Sequence, residues 1–115
     1  FHSVTLAHGS SARSHALLTG CMGGRELARE GDRARLVLGP AAAPGAYVDL
    51  LTVHAAAPRG QPGLGTVHHV AFRVADDAAE LAALAEWQAA GLHASPQMDR
   101  NYFHSIYARE PGGVL

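Results

Sequence analysis

Residues 67–74, VHHVAFRV, and residues 1–8, FHSVTLAH, are two versions of one opening. Phe1-His2-Ser3-Val4-Thr5-Leu6 superposes on Val67-His68-His69-Val70-Ala71-Phe72. Both runs alternate as a strand with one buried face does, because successive side chains of a strand point to opposite sides. In the first run Val4 and Leu6 share a face and Ser3, Thr5 and Ala7 share the other. In the second, His69, Ala71 and Arg73 point one way, and His68, Val70, Phe72 and Val74 the other. The second set is apolar apart from His68, so it is expected in a core between sheet and helix. His69 and Arg73 are then expected to face a cleft. On periodicity alone, a histidine at a strand start is more often a hydrogen-bonded structural residue than a ligand.

The elements downstream of each opening repeat as well. SSARSHALLTG (10–20) reads as a helix with a serine cap and Gly20 at its stop. RELARE (25–30) and RARLVLG (33–39) read as strands joined at Gly31-Asp32, a hairpin signal. AAAPGA is a loop and AYVDLLTV (46–53) a strand. Beyond the Pro/Gly-rich HAAAPRGQPGLG (54–65), DDAAELAALAEWQAAG (76–91) reads as a helix. Asp77 and Glu80 have the spacing of a capping box, and Gly91 marks the C-terminal stop. Leu81, Leu84 and Trp87 form its apolar stripe. HASPQM (93–98) and HSIYARE (104–110) flank the turn DRNY (99–102) as strands, and GGVL (112–115) begins another.

Strand, helix and three strands thus occur twice, which predicts an α+β fold. Two tandem βαβββ units are expected, forming paired small mixed sheets with a cleft. The first spans 1–53, a connector covers 54–65, and the second spans 66–115 with its last strand truncated. One such unit leaves a face of a small sheet uncovered and needs a second copy against it. Concave sites sit in the clefts between paired sheets.

The chain has 115 residues, 48% hydrophobic and 17% charged, the composition of a folded domain with a modest core. A formal charge of −1 suits neither a nucleic-acid groove nor an acidic membrane surface. Cys21 is the single cysteine, which excludes an internal disulfide and a zinc site built from cysteines. No apolar run approaches the ~20 residues that span a bilayer, and FHSVTLAHGS lacks the features of a signal peptide. The reducing cytoplasm is the expected compartment. A start without Met and a stop at EPGGVL are those expected of a piece of a longer protein. A chain exposing half a cleft is expected to pair with a second copy as a homodimer.

The doubled βαβββ pattern, VHHVAFRV and the closing run DRNYFHSIYAREPGGVL resemble the vicinal oxygen chelate superfamily. That superfamily contains glyoxalases, antibiotic-resistance binding proteins and extradiol ring-cleaving dioxygenases. The closing run is similar to that of the hydroquinone-type dioxygenases, roughly D-R-x-Y-F-x-S-I-Y-F-R-E-P-G-G-V-L-F-E. Asp99, Arg100, Tyr102, Phe103, Ser105, Ile106, Tyr107, Arg109 and residues 110–115 match it, and Ala108 replaces an aromatic residue.

The resemblance implies the C-terminal portion of a metal-dependent extradiol ring-cleaving dioxygenase acting on hydroquinone- or catechol-like aromatics and O2. The implied cofactor is Fe(II), or Mn(II), held by two histidines and one carboxylate with three positions open. His69 is the implied metal ligand, and the implied carboxylate is a Glu two residues beyond Leu115. Ser3 occupies the equivalent of His69 in the first unit, so the other histidine is expected from an absent N-terminal half. His2 is the competing candidate, but it aligns with His68 and is expected to face the core. Asp49, near the equivalent of the missing Glu, is expected to hydrogen-bond rather than ligate.

Tyr107 is the implied general acid, and Arg100 the implied partner of the anionic ring oxygen. Their plain readings are a core tyrosine and a surface arginine paired with Asp99. His93 and His104 are expected to face solvent, and residues 110–113 to form a structural turn. The chain by itself is expected to bind metal poorly and to be inactive. Two rival readings share the scaffold. A glyoxalase-like lyase or isomerase takes ligands from both units, and Ser3 counts against it. A metal-free small-molecule (antibiotic) binding module would use an aromatic-lined dimer cleft, and only seven Phe, Trp and Tyr residues occur here (3 + 1 + 3).

Overall fold

The computed structural model describes residues 1–54, 61 and 63–114. It divides into two compact units, Phe1–Gly60 and Gln61–Leu115. No helix among the described residues is long and apolar enough to cross a membrane.

The first unit follows the expected order: β1 (Ser3–His8), α1 (Ala12–Gly20), β2 (Arg25–Glu30), β3 (Arg33–Val37) and β4 (Tyr47–Thr52). They form one sheet in the order β1-β4-β3-β2. β1 and β4 run parallel, from Ser3 opposite Tyr47 to His8 opposite Thr52. The other pairs are antiparallel. Because strand residues alternate, that register sorts the side chains into two faces. Val4, Val48 and Leu36 form one row, and Leu6, Leu50 and Ala34 another. Most of these are buried, together with Leu17 and Leu18 of α1. Each buried Leu or Val adds roughly 1.5–3 kcal/mol relative to leaving it in water. The opposite face carries Thr5, Asp49 and Arg35 in one row.

Two turns depend on glycine. Gly31, at φ 53°, makes the β2–β3 turn with Asp32, as its sequence suggests. Gly24 donates its backbone N–H to the Leu18 carbonyl at 2.8 Å, and a Cβ there would stand 2.7 Å from that oxygen. The expected serine cap of α1 differs in detail. Ser11 holds the cap position, but its hydroxyl bonds Thr52 Oγ1 at 2.8 Å instead of the helix.

The second unit holds α2 (Asp77–Ala89), β5 (Met98–Asp99) and β6 (His104–Ser105). The predicted helix forms, with a different cap. Asp76 is the capping residue, accepting the Ala79 N–H at 2.8 Å. Glu80 does not complete a capping box. It turns inward, is buried, and accepts from Gln97 Nε2 at 2.8 Å. Gly91, at φ 81°, ends the helix as expected, and Leu92 donates to the Trp87 carbonyl. Leu84 and Trp87 are half-buried, whereas Leu81 of the expected stripe is exposed. The hairpin after α2 also forms. Met98 pairs with Ser105 and Asp99 with His104, and a single bridge joins Ala94 to Ala108.

VHHVAFRV is where the structure departs from the sequence reading. Residues 66–74 form no strand, and Val67, His68, Phe72 and Val74 are exposed instead of lying in a core. The reason is visible in the first unit, where β1 takes its ladder from β4. In the second unit no described strand plays the part of β4. Without a ladder partner the period-two sorting of faces is not imposed. His2 is likewise exposed, not in the core as its alignment suggested. The expected start of a further strand at 112–115 is a tight loop over 110–114, and Leu115 lies outside the described residues. Most of the connector 54–65 also lies outside them.

Candidate functional site

The hairpin of the second unit positions two of the three site residues read from the sequence. Its turn is tied locally: the Arg100 N–H donates to the Phe103 carbonyl at 2.9 Å. The Asn101 N–H donates to Asp99 Oδ1 at 2.8 Å. Asn101 sits at φ 68°, in the left-handed region that Asn tolerates better than most residues. Tyr107 is held at the other end of the hairpin. Its carbonyl accepts the Ser95 N–H at 2.8 Å and its N–H donates to Ser95 Oγ at 3.0 Å. The half-buried Tyr107 ring is therefore mounted on a fixed stretch of backbone.

Two side chains converge on that ring, and a third joins through one of them. The Arg100 guanidinium carbon lies 5.5 Å from its centroid, within cation–π range. The His69 imidazole meets it nearly at right angles, with centroids 6.2 Å apart. His68 joins from the far side of His69, Nδ1 to Nδ1 at 3.2 Å. Which of the two nitrogens donates depends on the imidazole tautomers.

The structure thus brings His69, Tyr107 and Arg100 into one cluster. It also adds His68, which strand alternation places on the opposite face. The doubled histidine is the signal in the sequence, and alternation hides it. Arg100 does not take the plain role of a surface partner to Asp99. His104 is exposed, as expected, but bonded: its Nδ1 lies 2.9 Å from Asp77 Oδ2. Asp77 holds the imidazole pKa above its ordinary 6.5, chiefly through that hydrogen bond.

Glu110 has the structural role expected of it. Its carboxylate accepts the N–H groups of Gly112 and Val114 at 2.8 and 2.9 Å, closing the loop on itself.

On the first unit, Asp49 is almost wholly buried and fully engaged. Arg35 donates from Nε and Nη2 at 2.7 and 2.8 Å, and Arg33 Nη1 donates at 3.0 Å while also reaching Thr5. The Arg35 hydrogen bonds lower its pKa most, and those from Arg33 add to them. Both oxygens are committed to guanidinium groups, which fits the expectation that Asp49 hydrogen-bonds. The Arg-x-Arg spacing of β3 is the sequence signal for its partners. His2 stacks on Tyr47 at 4.9 Å, beneath the same row.

A two-histidine, one-carboxylate metal set is not complete among the described residues. No group of three or more His, Cys, Asp or Glu side chains there could hold an ion. His69 and His68 offer imidazole nitrogens, and no carboxylate stands with them in the cluster.

The α+β fold, with its four-stranded mixed sheet and two helices, has a known family. The chain belongs to the glyoxalase/bleomycin resistance protein/dioxygenase superfamily, whose sequence profile matches residues 1–115. Among curated relatives, it is 37% identical over 119 residues to the Bacillus subtilis (strain 168) protein named "Putative ring-cleaving dioxygenase MhqO", covering 100% of this chain and 36% of that one. Over 56 residues it is 46% identical to the chlorohydroquinone/hydroquinone 1,2-dioxygenase of Sphingobium indicum, covering 46% of this chain and 17% of that enzyme. The crystal structure of a "putative dioxygenase" from Bacillus subtilis superposes with a TM-score of 0.83 at 36% identity, over 96% of this chain and 34% of that one. The chain spans about a third of the length of the relative it matches end to end.

Proposed function

We propose that this chain forms part of a metal-dependent ring-cleaving dioxygenase acting on hydroquinone-like aromatics and O2. The observation that carries the reading is the convergence of His69 and Arg100 on one tyrosine ring, Tyr107. The names of the curated relatives support the reaction class, and that of the Sphingobium enzyme supports the substrate class.

In this reading His69 is an imidazole donor to Fe(II) or Mn(II), the ion that would bring the ionised ring and O2 together. The described residues do not complete its ligand set, so the remaining donors belong to parts of the enzyme beyond them. The work of this chain's own side chains is clearer. Arg100 turns guanidinium N–H donors toward the oxygen of a dihydroxylated ring. Tyr107 presents a phenolic O–H beside that guanidinium, which suits donation to oxygen as the ring opens. The hydrogen bond with His68 sets which nitrogen of His69 carries hydrogen and which is free, as a neighbour does for a metal-bound imidazole. A cytoplasmic enzyme assembled as a homodimer belongs to the same proposal.

The test is a His69→Ala variant of the enzyme containing this chain, compared with wild type for bound metal and for oxygen uptake with hydroquinone. Loss of both is expected. Unchanged metal content would remove His69 from the ligand set, and uptake with no ring opening would remove the reaction class.

A further inference from the structure

β2 ends its sheet. In the order β1-β4-β3-β2 it is bonded to β3 on one side, and no described strand covers the other. All six of its residues are exposed, which leaves a row of backbone donors and acceptors open to another strand.

Its sequence, RELARE, is its own charge complement when reversed. Consider a second β2 laid antiparallel against it, with a two-fold axis between Leu27 and Ala28. Arg25 then falls opposite Glu30, Glu26 opposite Arg29, and Leu27 opposite Ala28. In an unbroken strand this arrangement fails. Residues five apart lie on opposite faces, as do residues three apart, whereas an axis perpendicular to the sheet keeps each residue on its own face.

The bulge in β2 removes that conflict. The register with β3 shifts between Glu26 and Ala28, leaving Leu27 as the extra residue. Arg25 is opposite Val37 and Glu30 opposite Arg33, so both lie on the face that carries Asp49. Glu26 is opposite Leu36 and Arg29 opposite Ala34, so both lie on the core face. There Glu26 reaches His15 of α1 at 2.6 Å and Arg29 at 2.7 Å. With the bulge present, Arg25 and Glu30 share one face and Glu26 and Arg29 share the other, so both charged pairs can meet across the axis.

We propose that β2 is a homotypic docking edge, whose occupant is β2 of a second copy of this chain. The two 4-stranded sheets join into one. Arg25–Glu30 pairs lie on one face, and a four-charge Glu26–Arg29 network crosses the axis on the other. A self-complementary edge of this kind gives a closed, isologous dimer instead of an open fibre. The inference does not depend on the ring-cleaving reading, since none of its residues belongs to the His69 cluster.

The test is sedimentation velocity over a concentration series, with circular dichroism to verify folding. Wild type is expected to form a concentration-dependent dimer that weakens with added salt, because exposed charges are screened. Glu30→Arg sets arginine opposite arginine twice across the axis and is expected to raise the dissociation constant about tenfold or more. The double variant Arg25→Glu, Glu30→Arg restores opposite charges and is expected to restore the dimer, an outcome that damage to the fold would not produce. A wild type monomeric throughout the series would overturn the proposal. So would a Glu30→Arg chain that dimerises as well as wild type, or a double variant no tighter than the single one.

Discussion

Arg35 grips Asp49 with two parallel hydrogen bonds, from Nε at 2.7 Å and Nη2 at 2.8 Å. The carboxylate is almost wholly buried, while the guanidinium stays partly in water over the Tyr47 ring. That asymmetry lets a charge sit in the sheet face: desolvation falls on one group and its partner keeps its solvent. Replacing Asp49 by Asn leaves Arg33 and Arg35 adjacent without their anion. The variant is expected to lose about 1–3 kcal/mol, less than the ~3–5 kcal/mol of fully buried broken pairs, because both arginines are partly exposed. In a thermal melt this is a fall of roughly 4 °C or more, at about 4 °C per kcal/mol for a chain of this size.

The same pair predicts an acid limb. The Asp49 carboxyl is held below its ordinary 3.8, first by the Arg35 hydrogen bonds, against an opposing effect of burial. Its folded value is depressed, so its contribution is complete above the unfolded value and is lost as pH falls through the folded one. Wild type is therefore expected to lose stability more steeply than Asp49→Asn below a pH of about 4. Acid melts in which the two proteins fall in parallel would reject the idea.

Gly24 tests packing instead of charge. The space for a Cβ is filled by the Leu18 carbonyl oxygen, 2.7 Å away, and that oxygen belongs to backbone that cannot swing aside. Gly24→Ala is expected to cost about 1–3 kcal/mol, as other overpacked sites do. Gly23→Ala is a useful comparison at a different kind of site: the space is open there, but φ is 63°, so its cost comes from backbone conformation. A denaturant titration in which Gly24→Ala matches wild type would show that the chain relaxes around the contact.

The first unit is legible almost element by element, because each of its strands finds its partner within residues 1–54. Alternation in FHSVTLAH sorts Val4 and Leu6 from Ser3 and Thr5 correctly. The same logic fails on VHHVAFRV for a physical reason: period two is a property of a paired strand, and residues 66–74 have no described partner. The site shows the same division. Tyr107 and Arg100 are singled out by the resemblance of the closing run, and the hairpin places the Arg100 guanidinium over the Tyr107 ring. The contact between His68 and His69 is not readable, because it needs the backbone to leave the strand pattern. Glu80 is mistaken for a cap for a related reason. Asp76 already satisfies the helix start, which frees Glu80 to turn toward Gln97.

Tyr107 and Arg100 are expected to separate in steady-state kinetics. Tyr107→Phe keeps the ring that His69 and Arg100 touch and removes only the hydroxyl. Under the proposed function it is expected to lower the kcat of the dioxygenase about 10²-fold, the lower end for a lost general acid, with bound metal unchanged. Under the same proposal, Arg100→Ala removes the charge assigned to the ring oxygen. It is expected to raise KM for a hydroquinone more than it lowers kcat, since ground state and transition state both lose the contact. If Tyr107→Phe turns over at the wild-type rate, the proton comes from elsewhere and the cluster is structural.

His104 and Asp77 make the last prediction. Their contact joins β6 to the first turn of α2. Asp77 raises the imidazole pKa above 6.5 by its hydrogen bond and then by its charge, and Asp99 and Glu80 add smaller pulls in the same direction. A folded pKa above the unfolded one gives stability that is complete below the unfolded value and is lost as pH rises through the folded one. His104→Gln is therefore expected to melt below wild type in mildly acidic buffer and to match it in mildly alkaline buffer. An NMR titration reads the cause directly: His104 should titrate above 6.5 in wild type and fall toward its ordinary value in Asp77→Asn. A midpoint unmoved by Asp77→Asn would show that the ion pair does not hold the proton in solution, and the pH dependence of the melt would then need another source.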